Sequence, residues 1–123
     1  MDIKKNIVAV DDSTIMLQTL QGMLGSQYGF RGFSKAARGL NYIMQFPPAL
    51  IILDIDMPEM DGYTMLGMIK EKIELRDIPV IFLTSNKDKN YVIKAVKYGA
   101  DDYVVKPIQK DVLLSKIEAL LSR

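Results

Sequence analysis

Residues 50–62 have the sequence LIILDIDMPEMDG, and this segment decides the predicted fold. Its first four residues form a continuous apolar run, with prolines before it at positions 47 and 48 and after it at position 58. Such a run indicates a β-strand that is buried on both faces of a sheet. The strand ends at Asp54, and open α/β sheets bind ligands in the crevice outside the carboxyl ends of their strands. Asp54 is therefore a candidate reactive group.

On both sides of this segment, apolar runs typical of strands alternate with helical patterns. The predicted strands cover residues 7–10, 28–33, 50–54, 79–83 and 102–105, and the predicted helices cover residues 15–24, 36–46, 63–73, 89–98 and 111–121. This fivefold alternation predicts an α/β fold, a doubly wound, five-stranded parallel sheet with helices on both faces. The length of 123 residues fits one domain, which we expect to cover residues 1–123.

The spacing of apolar residues also predicts the buried face of each helix. The residues expected to face the core are Leu66, Ile69 and Ile73 in the third helix and Val92, Ile93 and Val96 in the fourth. The first helix has two possible N-caps, Asp12 and Ser13.

The composition excludes several kinds of chemistry. The net charge of +1 does not indicate a nucleic-acid-binding protein. The absence of cysteine excludes disulfides and thiolate chemistry, and the absence of histidine means that the chain cannot relay a phosphoryl group through its own imidazole. The apolar runs are far shorter than the ~20 residues that cross a bilayer, and the N-terminus does not resemble a signal peptide. We expect a cytoplasmic protein with no membrane insertion.

Polar side chains end four of the predicted strands. Asp11 and Asp12 follow the first strand, Asp54 ends the third, Thr84 follows the fourth and Lys106 follows the fifth. Because parallel strands end at the same edge of a sheet, these side chains are expected to lie close together. Three carboxylates that repel one another need a cation between them, and Mg²⁺ prefers such oxygen ligands. Without histidine or cysteine, the best nucleophile is a carboxylate, which predicts an aspartyl phosphate.

These motifs resemble the receiver domain of two-component response regulators. The resemblance rests on Asp11–Asp12, on residues 54–62, on Thr84 and on residues 102–107, which occur in the order and at the spacing of that family. It covers essentially the whole chain. Because no residues remain for an effector domain, the chain most resembles the single-domain, CheY-like (chemotaxis-type) members, which have a (βα)5 flavodoxin-like fold.

The resemblance implies a phosphorylation-activated switch. Asp54 would accept a phosphoryl group from a histidine kinase or a histidine phosphotransfer protein. Asp12 and Asp54 would bind Mg²⁺ directly, Asp11 would bind it through water, and the backbone carbonyl of Asp56 would be a further ligand. Apart from its own phosphorylation and dephosphorylation, the chain would catalyse no reaction.

The remaining implied roles concern the response to phosphorylation. Lys106 would pair with the phosphoryl oxygens and Thr84 would hydrogen-bond to one of them. Tyr103 would turn inward as Thr84 moves and would reshape the face built from the fourth helix, the fifth strand and the fifth helix, where a downstream protein would bind. The bond between Lys106 and Pro107 is a candidate cis peptide.

Four alternatives differ from this interpretation. In the first alternative, the chain is an excised receiver domain of a larger regulator. In the second, it is a receiver that never becomes phosphorylated, although no key residue is missing. A phosphatase of the haloacid dehalogenase type is the third, but such enzymes carry Thr or Val where this chain has Pro58. A flavodoxin-like carrier is the fourth, but Asp11 and Asp12 would repel a phosphate without a cation.

Individual residues also allow simpler interpretations. Asp12 alone would be a helix cap, Lys106 a solvated lysine and Tyr103 an ordinary strand residue. The resemblance also implies that Asp56 and Asn86 occupy the two positions whose side chains set the lifetime of the phosphoryl group in receiver domains. The lysines interpreted as a solvated face, with partner docking as the alternative, are Lys87, Lys89, Lys94, Lys97 and Lys110.

Overall fold

A computed structural model describes residues 4–85 and 89–123. Its strands are β1 (Asn6–Val10), β2 (Gly29–Phe33), β3 (Leu50–Asp54), β4 (Val80–Thr84) and β5 (Asp102–Val105). All neighbouring strands run parallel, in the order β2-β1-β3-β4-β5. The predicted five-stranded parallel sheet is confirmed. The expectations for Asn86 and Lys87 fall outside the described residues.

The described residues contain five helices, of which four connect consecutive strands and the fifth follows β5. They are α1 (Thr14–Leu24), α2 (Ala36–Gln45), α3 (Gly62–Glu71), α4 (Lys89–Lys97) and α5 (Lys110–Leu121). Two hydrophobic clusters fill the space between sheet and helices: α1 and α5 contribute to one, and α2, α3 and α4 contribute to the other. Every residue of β3 and β4 is buried, as expected for strands covered on both faces.

Side-chain caps define the starts of two helices near the carboxyl edge of the sheet. The Oγ of Ser13 accepts a hydrogen bond from the Met16 amide at 3.2 Å, so Ser13, rather than Asp12, caps α1. A carboxylate oxygen of Asp61 accepts from the Thr64 amide at 2.8 Å and caps α3. Asp12 is thus left available for another role.

The predicted inward faces of α3 and α4 were partly wrong. Among the α4 side chains whose burial the structure describes, Ala95 is buried, whereas Ile93 and Val96 are 52% and 62% exposed. Ile73 is 77% exposed because α3 ends at Glu71, before the apolar spacing ends. Spacing alone gives the angle between apolar residues but not the side of the helix that meets the sheet.

Strands β2 and β5 form the two free edges of the sheet. Beside β2, the rings of Phe33, Tyr42 and Phe46 stack in sequence with centroid distances of 5.1 Å. The guanidinium carbon of Arg31 lies 5.0 Å from the centroid of the Tyr42 ring. This edge therefore carries a charged side chain held over an aromatic ring.

Among the described residues, no helix has the length and apolar character needed to cross a bilayer.

Candidate functional site

The predicted site residues meet at the carboxyl edge of the sheet. In the part of the chain that the structure describes, the buried polar residues are Asp11, Asp54 and Thr84. All three follow or end neighbouring strands β1, β3 and β4. Since a buried polar group costs free energy unless it has a partner, three of them at one edge indicate a site rather than chance placement.

Lys106 supplies the positive charge of the site. Its Nζ lies 3.0 Å from Oδ2 of Asp11 and 3.6 Å from Oδ1 of Asp54. Its backbone amide donates to the carbonyl of Thr84 at 2.8 Å, which joins the ends of β4 and β5. The Lys106–Pro107 peptide bond is cis, as the resemblance implies. The expected convergence of Lys106 with two of the aspartates is thus present.

Three carboxylates form a set of oxygen donors beside this lysine. One carboxylate oxygen from each of Asp11, Asp12 and Asp54 lies within 4.8 Å of the other two. Oδ1 of Asp11 accepts from the Ser13 amide at 2.9 Å, whereas its buried Oδ2 has the ion pair with Lys106 but no hydrogen bond of good geometry among the described residues. The Asp12 side chain is exposed. This set of hard donors, open on one side, fits a Mg²⁺ ion.

Electrostatics leave Asp54 only partly ionised near neutral pH. Burial, the largest cause, and the neighbouring Asp11 carboxylate together raise its pKa to about 7, and Lys106 only partly offsets these effects. Burial acts on Lys106 in the opposite direction, but its contacts with Asp11 and Asp54 outweigh that effect and its pKa is raised. The lysine therefore stays charged, while a cation that neutralised the aspartates would favour the ionised form of Asp54.

The loop between β3 and α3 closes tightly behind Asp54. The Gly62 amide donates to the carbonyl of Ile55 at 2.8 Å, and a Cβ at Gly62 would lie 2.5 Å from the backbone oxygen of Asp54. The Asp56 amide donates a long hydrogen bond of 3.4 Å to Oδ1 of Asp54, and Asp56 itself is exposed. The role of the Asp56 carbonyl as a metal ligand stays a prediction.

Tyr103 lies diagonally across from Thr84 on the neighbouring strand, two residues before the register partner of Thr84. In the β4–β5 pair, Tyr103 is opposite Phe82 and Val105 is opposite Thr84, so Tyr103 and Thr84 project from the same face. The Tyr103 ring is half-buried and packs against the cluster that contains Phe82. Thr84 at the site and Tyr103 on the outer strand therefore lie on the same face of two adjacent strands.

Two contacts of lysine side chains near these residues could not be predicted from the sequence. Nζ of Lys116, on α5, lies 2.8 Å from the Asp102 carboxylate and 5.3 Å from the centroid of the Tyr103 ring. Nζ of Lys94 lies 4.5 Å from the centroid of the Tyr63 ring, so this lysine, interpreted as part of a solvated or partner-docking face, also contacts a buried aromatic residue. No sequence signal identifies either pair, because each joins separate elements.

Known proteins that are similar to this chain include receiver domains and response regulators. The family profile of the response regulator receiver domain matches residues 7–118. The sensory transduction protein BceR of Halalkalibacterium halodurans is 30% identical over 119 residues, which cover 97% of this chain and 50% of BceR. The two-component response regulator ORR5 of Oryza sativa is 32% identical over 120 residues, covering 96% of this chain and 87% of ORR5.

Among solved structures, the chemotaxis protein CheY4 of Vibrio cholerae superposes with a TM-score of 0.90 at 22% identity. The match covers 96% of this chain and 99% of CheY4, and it bears on the fold alone. The chain thus spans half the length of one curated relative and most of another.

Proposed function

Because the chain belongs to the response regulator receiver domain family, we propose that it is a signalling switch in which Asp54 accepts a phosphoryl group. The observation that carries this proposal is the cluster of the buried Asp54 carboxylate with two further aspartates and the Lys106 ammonium. The family is one of two-component signalling, and the roles of individual residues are proposed from their geometry.

The transfer is a single displacement at phosphorus. An ionised Asp54 oxygen attacks the phosphorus of a phosphohistidine on a partner kinase or histidine phosphotransfer protein. The new O–P bond forms as the P–N bond breaks, and the imidazole keeps that electron pair and takes a proton. Lys106 then faces the phosphoryl oxygens and Thr84 offers its hydroxyl to one of them. The residues that would hold Mg²⁺ are Asp12 and Asp54 directly, Asp11 through water and Asp56 through its backbone carbonyl. The ion would supply positive charge for the transferred group.

The proposed output surface is the face formed by α4, β5 and α5. The phosphoryl group adds roughly two negative charges, and the groups that feel them first are Lys106 and Thr84. Movement of Thr84 makes room for the ring of Tyr103, its neighbour on the same face of the sheet. A groove of about 250 Å³ beside Tyr103 offers a downstream protein a place to bind. No role in nucleic-acid binding or membrane insertion is proposed.

We further propose that the receiver domain covers residues 1–123 and works as a stand-alone, CheY-like regulator of the chemotaxis type in the cytoplasm. The alternative is the receiver of a larger regulator, since the chain spans 50% of BceR. In both cases its own phosphorylation and dephosphorylation are the only reactions that we propose it catalyses.

Intact mass after incubation with acetyl phosphate tests the proposal. We expect a labile gain of one phosphoryl group that requires Mg²⁺ and is absent in Asp54→Asn. The matched control is Asp56→Asn, which changes an exposed carboxylate on the same loop and should still be labelled. Labelling that persists in Asp54→Asn, or no labelling of the wild type with Mg²⁺ present, would contradict the proposal.

A further inference from the structure

At the edge of the sheet formed by β5, the Lys116 side chain contacts both Asp102 and Tyr103. Asp102 and Tyr103 are consecutive, so their side chains project from opposite faces of the strand. Lys116 extends from α5 and its Nζ contacts the Asp102 carboxylate at 2.8 Å. The same Nζ lies 5.3 Å from the Tyr103 ring centroid. One ammonium group therefore touches residues on both faces by reaching around the free edge of the strand.

Asp102 fixes the position of this ammonium group. Its Oδ1 accepts from both the Tyr103 amide and Lys116 Nζ, each at 2.8 Å. The side chains of Asp102 and Lys116 are 30% and 29% exposed, so both are partly shielded from water. The lysine is thus held near the ring by an anchor that is itself hydrogen-bonded to the backbone of the tyrosine.

From this arrangement we propose that Lys116 is a positioning residue that holds the Tyr103 ring in its present place through an ammonium–ring contact, and so sets the balance between the two states of the switch. The inference rests on the proposed function, in which the ring moves inward when Asp54 is phosphorylated. The ring leaves the ammonium group when it moves, and the contact is lost. Lys116 therefore favours the unphosphorylated arrangement.

The size of the effect follows from the strength of such contacts. A cation over a tyrosine ring at a partly exposed site shifts an equilibrium by about two- to fivefold. A protein whose competent state is sparsely populated reacts in proportion to that population. Removing the charge at Lys116 should therefore raise the rate of phosphorylation by acetyl phosphate about two- to fivefold at low acetyl phosphate concentration.

The test compares Lys116→Met, which keeps the chain length without the charge, with Lys116→Arg, which keeps a cation. The first readout is the NMR signal of the Tyr103 ring in unphosphorylated protein, assigned with Tyr103→Phe and recorded also in the Asp54→Asn background. We expect Lys116→Met to shift this signal and Lys116→Arg to leave it close to that of the wild type. Asp102→Asn, which removes the anchoring charge but keeps an oxygen for the Tyr103 amide, should shift it in the same direction.

The second readout is the phosphorylation rate. Lys116→Met should react about two- to fivefold faster than the wild type, with Lys116→Arg close to the wild type. An unshifted Tyr103 signal in Lys116→Met, or equal shifts in the Met and Arg variants, would overturn the inference. If the signal shifts in Lys116→Met but the wild type is never labelled, the proposed function is refuted. The contact between Lys116 and the Tyr103 ring would still be established, because the ring signal does not depend on phosphorylation.

Discussion

At the scale of single residues, Asp54 carries a conflict between folding and function. The proposed nucleophile must be ionised, yet its burial and the adjacent Asp11 raise its pKa from 3.8 to about 7. A carboxyl group with a raised pKa binds a proton more tightly in the folded than in the unfolded protein. The stability that it contributes is therefore complete below the unfolded pKa and is lost as the pH rises through the folded pKa.

Asp54→Asn should remove this dependence on pH. We compare the two proteins without divalent cations. Between pH 5 and pH 8, the free energy of unfolding of the wild type should fall by about 2–3 kcal/mol relative to that of Asp54→Asn. This follows because each unit of pKa shift corresponds to about 1.4 kcal/mol. Urea unfolding at both pH values measures the difference. The control Asp56→Asn should follow the wild type, and parallel behaviour of wild type and Asp54→Asn would show that burial does not perturb Asp54 in this way.

At the scale of elements, the loop that joins β3 to α3 holds the backbone of Asp54 in place. Gly62 is the first residue of α3, and a side chain there would meet the backbone oxygen of Asp54. Gly67 lies in the same helix, but the space around it is open. The two glycines therefore separate the effect of close packing from the effect of helix propensity.

Substituting alanine at these positions should act in opposite directions. We expect Gly62→Ala to lower the free energy of unfolding by about 1–3 kcal/mol, because the backbone at Asp54 must shift to admit the methyl group. Gly67→Ala should raise it by about 0.5–1 kcal/mol, because alanine loses less conformational entropy in a helix. Urea denaturation measures both, and a Gly62→Ala protein as stable as the wild type would rule out the close approach.

At the scale of the whole molecule, the alternation of strands and helices predicted both the fold and the place of the site. Asp11, Asp54, Thr84 and Lys106 could be grouped because parallel strands end at one edge. The contact of Lys116 with Tyr103 could not be predicted, since it depends on how α5 lies across the edge of β5. The raised pKa of Asp54 could not be predicted either, because it depends on burial by several elements at once.

Cation binding at the aspartates should stabilise the entire fold. A ligand that binds only the folded state raises the free energy of unfolding by about 1.4–2.7 kcal/mol at 10 to 100 times its dissociation constant. We expect Mg²⁺ to produce such an increase in the wild type at pH 8. The increase should be much smaller in Asp12→Asn, which removes an exposed carboxylate and leaves the hydrophobic core unchanged. Thermal unfolding with and without Mg²⁺ measures this, and equal responses of the two proteins would exclude Asp12 as a ligand.

The two outer strands of the sheet share one further property. Each has a cation held over a tyrosine ring, Arg31 over Tyr42 beside β2 and Lys116 over Tyr103 beside β5. An open strand edge can pair with the edge of another chain and start aggregation, and charged side chains at the edge oppose that pairing. Arg31 and Lys116 should therefore oppose edge-to-edge strand pairing between molecules at high protein concentration.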